Sequence, residues 1–174
     1  ASLQGARGQT FPLGCVKMNI RPFASGDRER IREILVATAR FTRQEVGWAM
    51  ELVDLVAAGK RGEYEAHVIE DAVKNVQGYV LFGPTPMAEG VFDLYWIAVD
   101  PRQQGQGLGQ ILLRFVENEV RRQDGRMLLI ETSSKRSYAP TVRFYQRAGY
   151  RETSRIKDFY RIEDDKVVFS KTLT

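Results

Sequence analysis

The alternation of apolar and polar residues after Met18 predicts a mixed α/β chain. Apolar side chains at every second position indicate strands, and a spacing of three and four residues indicates helices. The resulting order is strand, helix, helix, three strands, helix, strand, helix and two strands. The predicted ranges include strands at 64–70, 76–82, 91–99 and 127–131 and a short helix at 141–148.

Two helix starts are predicted from residues that cap helices well. Ser25 can act as an N-cap, with Asp27 as an acid in the first turn, and Thr42 can cap the second helix. Apolar residues at helical spacing follow both positions. We therefore expect two consecutive helices between the first strand and the second.

The most informative segment follows the strand at 91–99. Asp100 and Pro101 end that strand, a glycine-dense turn comes next, and an amphipathic helix begins near Gly107. Gly105, Gly107 and Gly109 permit positive φ angles and a close approach of the main chain to a ligand. A helix start presents unpaired N–H groups and the positive end of its dipole. The pattern therefore predicts an anion site, for which a pyrophosphate is the natural occupant.

Two common phosphate motifs fit this turn poorly. A P-loop needs Lys and Ser or Thr directly after its last glycine, but Gln110 follows Gly109. The dinucleotide-binding pattern Gly-x-Gly-x-x-Gly begins at Gly105 and Gly107 but has Gln110 at its third glycine position. Nucleoside triphosphates and dinucleotides are therefore disfavoured as ligands.

The turn instead resembles the acetyl-CoA-binding motif Gln-x-x-Gly-x-Gly of the GNAT N-acetyltransferases, here at Gln104, Gly107 and Gly109. The stretch 137–150, with Phe144-Tyr145 followed by Gly149-Tyr150, resembles the late helix of that family. The resemblance implies a GNAT acyl-CoA N-acyltransferase fold of the α/β class, with a mixed, mostly antiparallel central sheet flanked by helices, over residues 18–174.

The resemblance also implies acetyl-CoA as co-substrate, with the pyrophosphate on the amides of the turn and the pantetheine arm along the strand before it. The residues expected to bind acetyl-CoA are Ile97, Ala98, Val99, Gln104, Gly105, Gln106, Gly107, Leu108, Gly109, Gln110, Thr141 and Phe144.

Three residues are candidates for catalysis. The matching tyrosine of the family implies that Tyr145 is the general acid that protonates the departing thiolate. Asp93 and Glu131 are alternative general bases, each matching a carboxylate of a different subfamily, and Glu131 is slightly favoured. Burial beside apolar strands would raise the pKa of either carboxyl group toward useful base strength.

Composition narrows the class of protein. The formal net charge is +4 and there is one cysteine, so no intramolecular disulfide or cysteine-based metal site is expected. The sequence has no stripe of basic and aromatic residues of the kind that binds nucleic acid. It also has no apolar run long enough to span a bilayer. We expect a cytoplasmic enzyme without a metal and without nucleic-acid or membrane partners. Residues 1–17 are interpreted as a flexible N-terminal extension or cloning remnant.

The expected reaction is direct attack of a primary amine on acetyl-CoA within a ternary complex. The acceptor, a small molecule or a peptide N-terminus, stays open because fold does not fix substrate. The alternative is a non-catalytic acyl-CoA-binding regulatory module or a partner-dependent subunit. A homodimer is also left open.

Overall fold

The computed structural model describes the main chain of residues 9–13, 16–59 and 63–173. The strands are β1 (Gln9–Leu13), β2 (Val16–Pro22), β3 (Glu65–Glu70), β4 (Val76–Pro84), β5 (Val91–Val99), β6 (Met127–Ser133), β7 (Arg151–Arg161) and β8 (Asp164–Thr172). The helices are α1 (Arg28–Ala37), α2 (Arg43–Ala57), α3 (Leu108–Arg122) and α4 (Ala139–Arg147).

The chain forms two compact units. The first contains residues Ala1–Phe82 and Trp96–Arg114, and the second contains Gly83–Tyr95 and Phe115–Thr174. Strand β5 and helix α3 each contribute residues to both units.

The first unit is built on antiparallel pairing of β1 with β2, β2 with β3 and β3 with β4. The end of β5 lies beside β4, where the Asp100 N–H donates to the Gln77 carbonyl at 2.8 Å. Gly78 makes this approach possible, because a Cβ atom there would lie 2.7 Å from the Ala98 carbonyl oxygen and 3.3 Å from the side chain of Leu112. The start of α3 can therefore pack close to the strands.

The two helices of the first unit start differently. Thr42 caps α2 as predicted: its hydroxyl accepts the Glu45 N–H at 3.2 Å, and the Glu45 carboxylate accepts the Thr42 N–H at 2.7 Å. The prediction that Ser25 is an N-cap is wrong. Ala24 occupies that position, and the Asp27 carboxylate accepts the Ala24 N–H at 2.8 Å while it pairs with Arg21. The Ala24 N–H is therefore satisfied by the carboxylate of Asp27, which lies three residues further along the chain.

The second unit combines parallel and antiparallel pairing. Strand β5 pairs parallel with β6, β6 pairs antiparallel with β8, and β8 pairs antiparallel with β7. The outermost strand of this unit, β7, exposes its side chains along its whole length of 11 residues. The order of the strands brings β5, β6 and β8 side by side.

The predicted mixed, mostly antiparallel α/β class is confirmed, and the strand at 91–99 has the predicted bounds. Strand β1 was not predicted, since residues 9–13 carry no clear periodicity. The interpretation of residues 1–17 as an extension stays a prediction, and its residues 1–8 and 14–15 lie outside the described chain. Within the described ranges, every helix is too short or too polar to cross a membrane.

Candidate functional site

Asp100 anchors the turn between β5 and α3. Its buried carboxylate accepts hydrogen bonds from the main-chain N–H of Arg102 at 2.9 Å and from the Arg102 guanidinium, and it pairs with Arg30 of α1. The hydrogen bond from Arg102 is the largest influence that holds the pKa of Asp100 well below its usual range, and Arg30 adds to it. Asp100 therefore stays ionised, and its ion pair with Arg30 fixes the first residues of the turn to α1.

The glycines of the turn have two kinds of conformation. Gly105 and Gly107 adopt φ angles of 79° and 83°, which only glycine adopts without strain. Gly109 differs from the expectation, because it lies in the first turn of α3 with an ordinary helical conformation. Two positive φ angles are enough to reverse the chain before the helix.

The reversal leaves a run of main-chain donors. The N–H groups of Gln110 and Ile111 both donate to the Gly107 carbonyl at 3.0 Å. Among the described residues, the N–H groups of 105–109 have no acceptor. Consecutive open N–H groups at the start of a helix bind phosphate groups well. This geometry suits the pyrophosphate site predicted from the sequence.

Two glutamines stiffen the turn. The Gln104 side-chain amide donates to the Val99 carbonyl at 3.3 Å, and the Gln106 amide donates to the Gln103 side chain at 3.0 Å. Gln104 therefore connects the turn to the last residue of β5. The glutamine of the motif thus has a mechanical role within this chain: it binds the strand residue five positions earlier.

Asp93 and Thr85 form a hydrogen-bonded pair in the second unit. Asp93 lies on β5, and the Thr85 hydroxyl donates to its Oδ2 atom at 2.7 Å. Partial burial is the largest influence on the Asp93 carboxyl and raises its pKa, while the hydrogen bond from Thr85 opposes that rise. Asp93 is thus a half-buried carboxylate with increased basicity.

Glu131, the other candidate base, is held by a lysine. The Lys166 Nζ atom of β8 lies 2.6 Å from the Glu131 Oε1 atom and 5.1 Å from the centre of the Phe159 ring. The Glu131 side chain is 49% exposed, whereas that of Lys166 is only 19% exposed. Glu131 is therefore a solvated and already paired carboxylate.

Strand register places these three charged residues on one face. Asp93 is paired with Leu129, Glu131 follows Leu129 by two positions, and Val168 is paired with Glu131. Lys166 precedes Val168 by two positions, and alternate residues of a strand share a face. Asp93, Glu131 and Lys166 are called the charged row below. Both Glu131 and Lys166 influence the pKa of Asp93, in opposite directions.

Tyr145 of α4 lies in an aromatic cluster of the second unit. Its ring centre is 5.2 Å from that of Phe144, 6.0 Å from that of Tyr150 and 6.2 Å from that of Phe169. The residue is 4% exposed, and burial raises the pKa of its hydroxyl. Tyr145 is therefore a protonated phenol at neutral pH.

The end of α4 fixes the position of Tyr145. Gly149 has a φ angle of 89°, the Tyr150 N–H donates to the Tyr145 carbonyl, and the Gly149 N–H donates to the Gln146 carbonyl, both at 3.0 Å. This pair of bonds is a Schellman motif. The Lys171 ammonium also donates to the Ala148 carbonyl at 2.9 Å.

A buried acid of α3 completes this support. Glu117 accepts the Tyr150 hydroxyl at 3.0 Å and the Lys171 ammonium at 2.9 Å. The pKa of the Tyr150 hydroxyl is raised by burial and by the charge of Glu117. A paired and hydrogen-bonded charge is the form in which a buried carboxylate is tolerated. α3 and the end of α4 are thereby joined through polar side chains.

The predicted site residues fall into two groups. The first unit holds Ile97, Ala98, Val99 and residues 104–110, while the second unit holds Asp93, Glu131, Tyr145, Thr141 and Phe144. Within the second unit, the structure brings Asp93 and Glu131 onto one face. The roles given to all these residues stay predictions.

Sequence reasoning missed several residues that shape the two groups. Arg30 pairs with Asp100, Thr85 bonds to Asp93, and Lys166 pairs with Glu131. Each partner lies outside the local segment of the residue it contacts, so no local spacing signals the pair. Alternation along β8 could place Lys166 on the same face as Val168, but only the register with β6 shows its partner. Among the described residues, no group of three or more His, Cys, Asp or Glu side chains is arranged to hold a metal ion.

Comparisons with known proteins agree with this geometry. The family model described as the acetyltransferase (GNAT) domain matches residues 62–152. The search of curated proteins found no match. A crystal structure assigned to the GNAT family of acetyltransferases, from Desulfovibrio desulfuricans, is 40% identical and has a TM-score of 0.86, covering 90% of this chain and 99% of its own.

Two more distant structures share the fold. The ribosomal-protein-S18-alanine N-acetyltransferase from Escherichia coli is 19% identical with a TM-score of 0.71, covering 90% of this chain and 94% of its own. An aminoglycoside 6'-N-acetyltransferase complexed with coenzyme A is 14% identical with a TM-score of 0.68, covering 89% of this chain and 97% of its own. Together with the family match over more than half of the chain, these findings show that the protein belongs to the GNAT family and is an acetyl-CoA-dependent acyltransferase.

Proposed function

We propose that this protein transfers an acetyl group from acetyl-CoA to a primary amine by direct attack within a ternary complex. The observation that carries the proposal is the run of open N–H groups at 105–109, at the start of α3. These donors, together with the helix dipole, suit the pyrophosphate of coenzyme A. Ile97, Ala98 and Val99 are proposed to contact the pantetheine arm, with Thr141 and Phe144 as further cofactor contacts.

Asp93 is proposed as the general base. An amine enters as an ammonium ion and must lose a proton before its nitrogen can attack the thioester carbonyl. The raised pKa of Asp93 makes it a better proton acceptor than an ordinary aspartate, whereas Glu131 is already paired with Lys166. The environment of the two carboxylates therefore supports Asp93 over Glu131.

Tyr145 is proposed as the general acid. Attack by the amine forms a C–N bond and an oxyanion, and collapse of this intermediate breaks the C–S bond and releases the thiolate of coenzyme A. Burial keeps the Tyr145 hydroxyl protonated at neutral pH, so it can give its proton to that thiolate. A main-chain N–H near Val99 is proposed to stabilise the oxyanion.

Two linked measurements test the proposal. Calorimetric titration with acetyl-CoA, coenzyme A, ATP and NADH should show binding of the two coenzyme A species and none of ATP or NADH. Release of thiol should then be followed with acetyl-CoA and a panel containing a monoamine, a polyamine, an amino acid, an aminoglycoside and a peptide with a free N-terminus. Thiol release that depends on an amine supports the proposal. Binding of acetyl-CoA without transfer to any amine would instead favour a non-catalytic acyl-CoA-binding module.

A further inference from the structure

Lys166 gives the charged row an unusual composition for a surface that receives an ammonium ion. The row contains two carboxylates and one ammonium, so its net charge is a single negative charge when all three groups are ionised. An incoming ammonium with one positive charge would balance the row. This count rests on the proposed role of Asp93 as the base.

The ammonium of Lys166 is held in place rather than free to move away. It lies 2.6 Å from Glu131 and 5.1 Å from the centre of the Phe159 ring, and its side chain is largely buried. A carboxylate and an aromatic face both stabilise a cation. Lys166 therefore acts as a fixed positive charge on the face that carries Asp93.

The pairing of Lys166 with Glu131 discriminates between amines. Once one ammonium of the acceptor lies at Asp93, the other carboxylate of the row is already neutralised by Lys166. A second ammonium on the acceptor therefore loses hydration beside the row without gaining a carboxylate partner. The row therefore favours acceptors with a single positive charge over polyamines.

Apolar side chains flank the row on β7. Ile156 is paired with Lys166 in the strand register and is 46% exposed, and Phe159 is 51% exposed beside the Lys166 ammonium. Exposed apolar side chains next to a polar site can cover the apolar part of a ligand. Their position suits an acceptor whose amine is attached to an apolar group.

From the charge and the flanking side chains together, we infer that the acceptor is a primary amine with one positive charge and an apolar group, and that Lys166 excludes acceptors with a second ammonium. Asp93 receives the proton of the acceptor. Lys166 is a specificity-determining residue, and Ile156 and Phe159 contact the apolar group.

A matched pair of amines tests the inference. Hexylamine and 1,6-diaminohexane have the same chain length, but the diamine carries a second ammonium. The measurement is kcat/KM for each amine with the full chain and saturating acetyl-CoA, followed by thiol release. The wild-type protein should favour hexylamine by roughly tenfold, the ratio that corresponds to a free-energy difference of about 1.4 kcal/mol.

The variant Lys166→Gln should reduce that preference for hexylamine to about twofold or less, because it leaves the Glu131 carboxylate free to pair with the second ammonium. Lys157→Gln is the matched control: it removes one exposed lysine from the same hairpin and should leave the ratio unchanged. A wild-type preference for the diamine beyond the factor of two expected from its two amino groups would overturn the inference. An unchanged ratio in Lys166→Gln would overturn it as well.

The amine panel separates failure of the inference from failure of the proposed function. Transfer to a polyamine or aminoglycoside but not to hexylamine would overturn the inference and leave amine acetylation standing. Absence of transfer to every amine, with acetyl-CoA still bound, would overturn both.

Discussion

The glycine turn and the charged row are built in opposite ways. The turn offers main-chain N–H groups from one continuous segment, 105–109, and needs two glycines with positive φ angles to present them. The charged row offers side chains from β5, β6 and β8, which only strand pairing brings onto one face. A main-chain site thus depends on local conformation, whereas a side-chain site depends on the register of distant strands.

The largest expected effect comes from breaking the turn alone. Gly107→Glu places a side chain at a φ angle of 83° and adds a negative charge where the pyrophosphate is proposed to bind. Strain of about 1–3 kcal/mol and like-charge repulsion should together weaken acetyl-CoA binding on the order of a thousandfold. Calorimetric titration measures this loss.

Gly47→Glu is the control for that variant, since it adds the same charge on the exposed side of α2, with open space around the new Cβ atom. It should bind acetyl-CoA like the wild-type protein. Normal binding by Gly107→Glu would contradict the assignment of the turn as the pyrophosphate site.

Removal of the proposed base from the charged row should lower the rate of acetyl transfer without weakening acetyl-CoA binding. Asp93→Asn keeps the size of the side chain but removes the proton acceptor, so kcat should fall by about a thousandfold with acetyl-CoA affinity unchanged. Steady-state kinetics beside calorimetry separates the two quantities. A variant with wild-type kcat would show that Asp93 is not the base, and Glu131→Gln measured in parallel would then test the other carboxylate.

Removal of the Tyr145 hydroxyl should have a smaller effect on rate. Tyr145→Phe keeps the ring that packs on Phe144, Tyr150 and Phe169 but removes the proposed proton donor. We expect kcat to fall by about a hundredfold, while the melting temperature changes little. Steady-state thiol release and a thermal melt provide the two readouts, and an unchanged kcat would refute the assignment of Tyr145 as the acid.

Loosening the anchor of the turn should reduce stability in a pH-dependent way. The folded state lowers the pKa of Asp100, so this carboxylate stabilises the fold above its ordinary pKa, and that contribution is lost as the pH falls toward the lower folded value. Asp100→Asn should therefore cost about 2 kcal/mol at neutral pH, and the difference from the wild-type protein should shrink below about pH 4.

Urea unfolding across that pH range measures the effect of Asp100→Asn. Asp54→Asn is its control, because Asp54 forms an exposed pair with Arg28 and should change stability much less. A constant difference between Asp100→Asn and the wild-type protein down to low pH would show that the charge of Asp100 is not what stabilises the turn.

The smallest expected effect is a shift in the pH dependence of kcat/KM when either neighbour of Asp93 in the charged row loses its charge. Glu131 raises the pKa of Asp93, whereas Lys166 lowers it. Glu131→Gln should therefore move the acidic limb of the kcat/KM profile to lower pH, and Lys166→Gln should move it to higher pH, each by less than about one pH unit. Shifts in the same direction for both variants would contradict this arrangement of charges.

The contrast between turn and row also explains how much could be predicted from the sequence. The glycine turn, the strand before it and the cap at Thr42 were predicted because each depends on neighbouring residues. The helical conformation of Gly109 and the failure of Ser25 as a cap show the precision of such patterns: they locate a turn but do not assign each residue in it.

Pairs between distant elements were beyond the sequence patterns. The contacts of Lys166 with Glu131 and of Arg30 with Asp100 depend on strand register and on the packing of a helix. A shift of one residue in the pairing of β6 with β8 would turn Lys166 to the other face. The two candidate carboxylates could thus be named from the sequence, but the different environments that distinguish them could not.

The exposed outer strand of the second unit has a consequence for solubility. Strand β7 carries both cations and anions, with Arg151 and Glu152 at one end and Lys157 and Asp158 near the other. A strand from another molecule that added to this edge would have to desolvate those charges, which discourages aggregation. Replacing these charged residues with uncharged β-branched residues would keep the strand but remove its protection against aggregation. Ile156 and Phe159 would then lie within a continuous aggregation-prone edge strand.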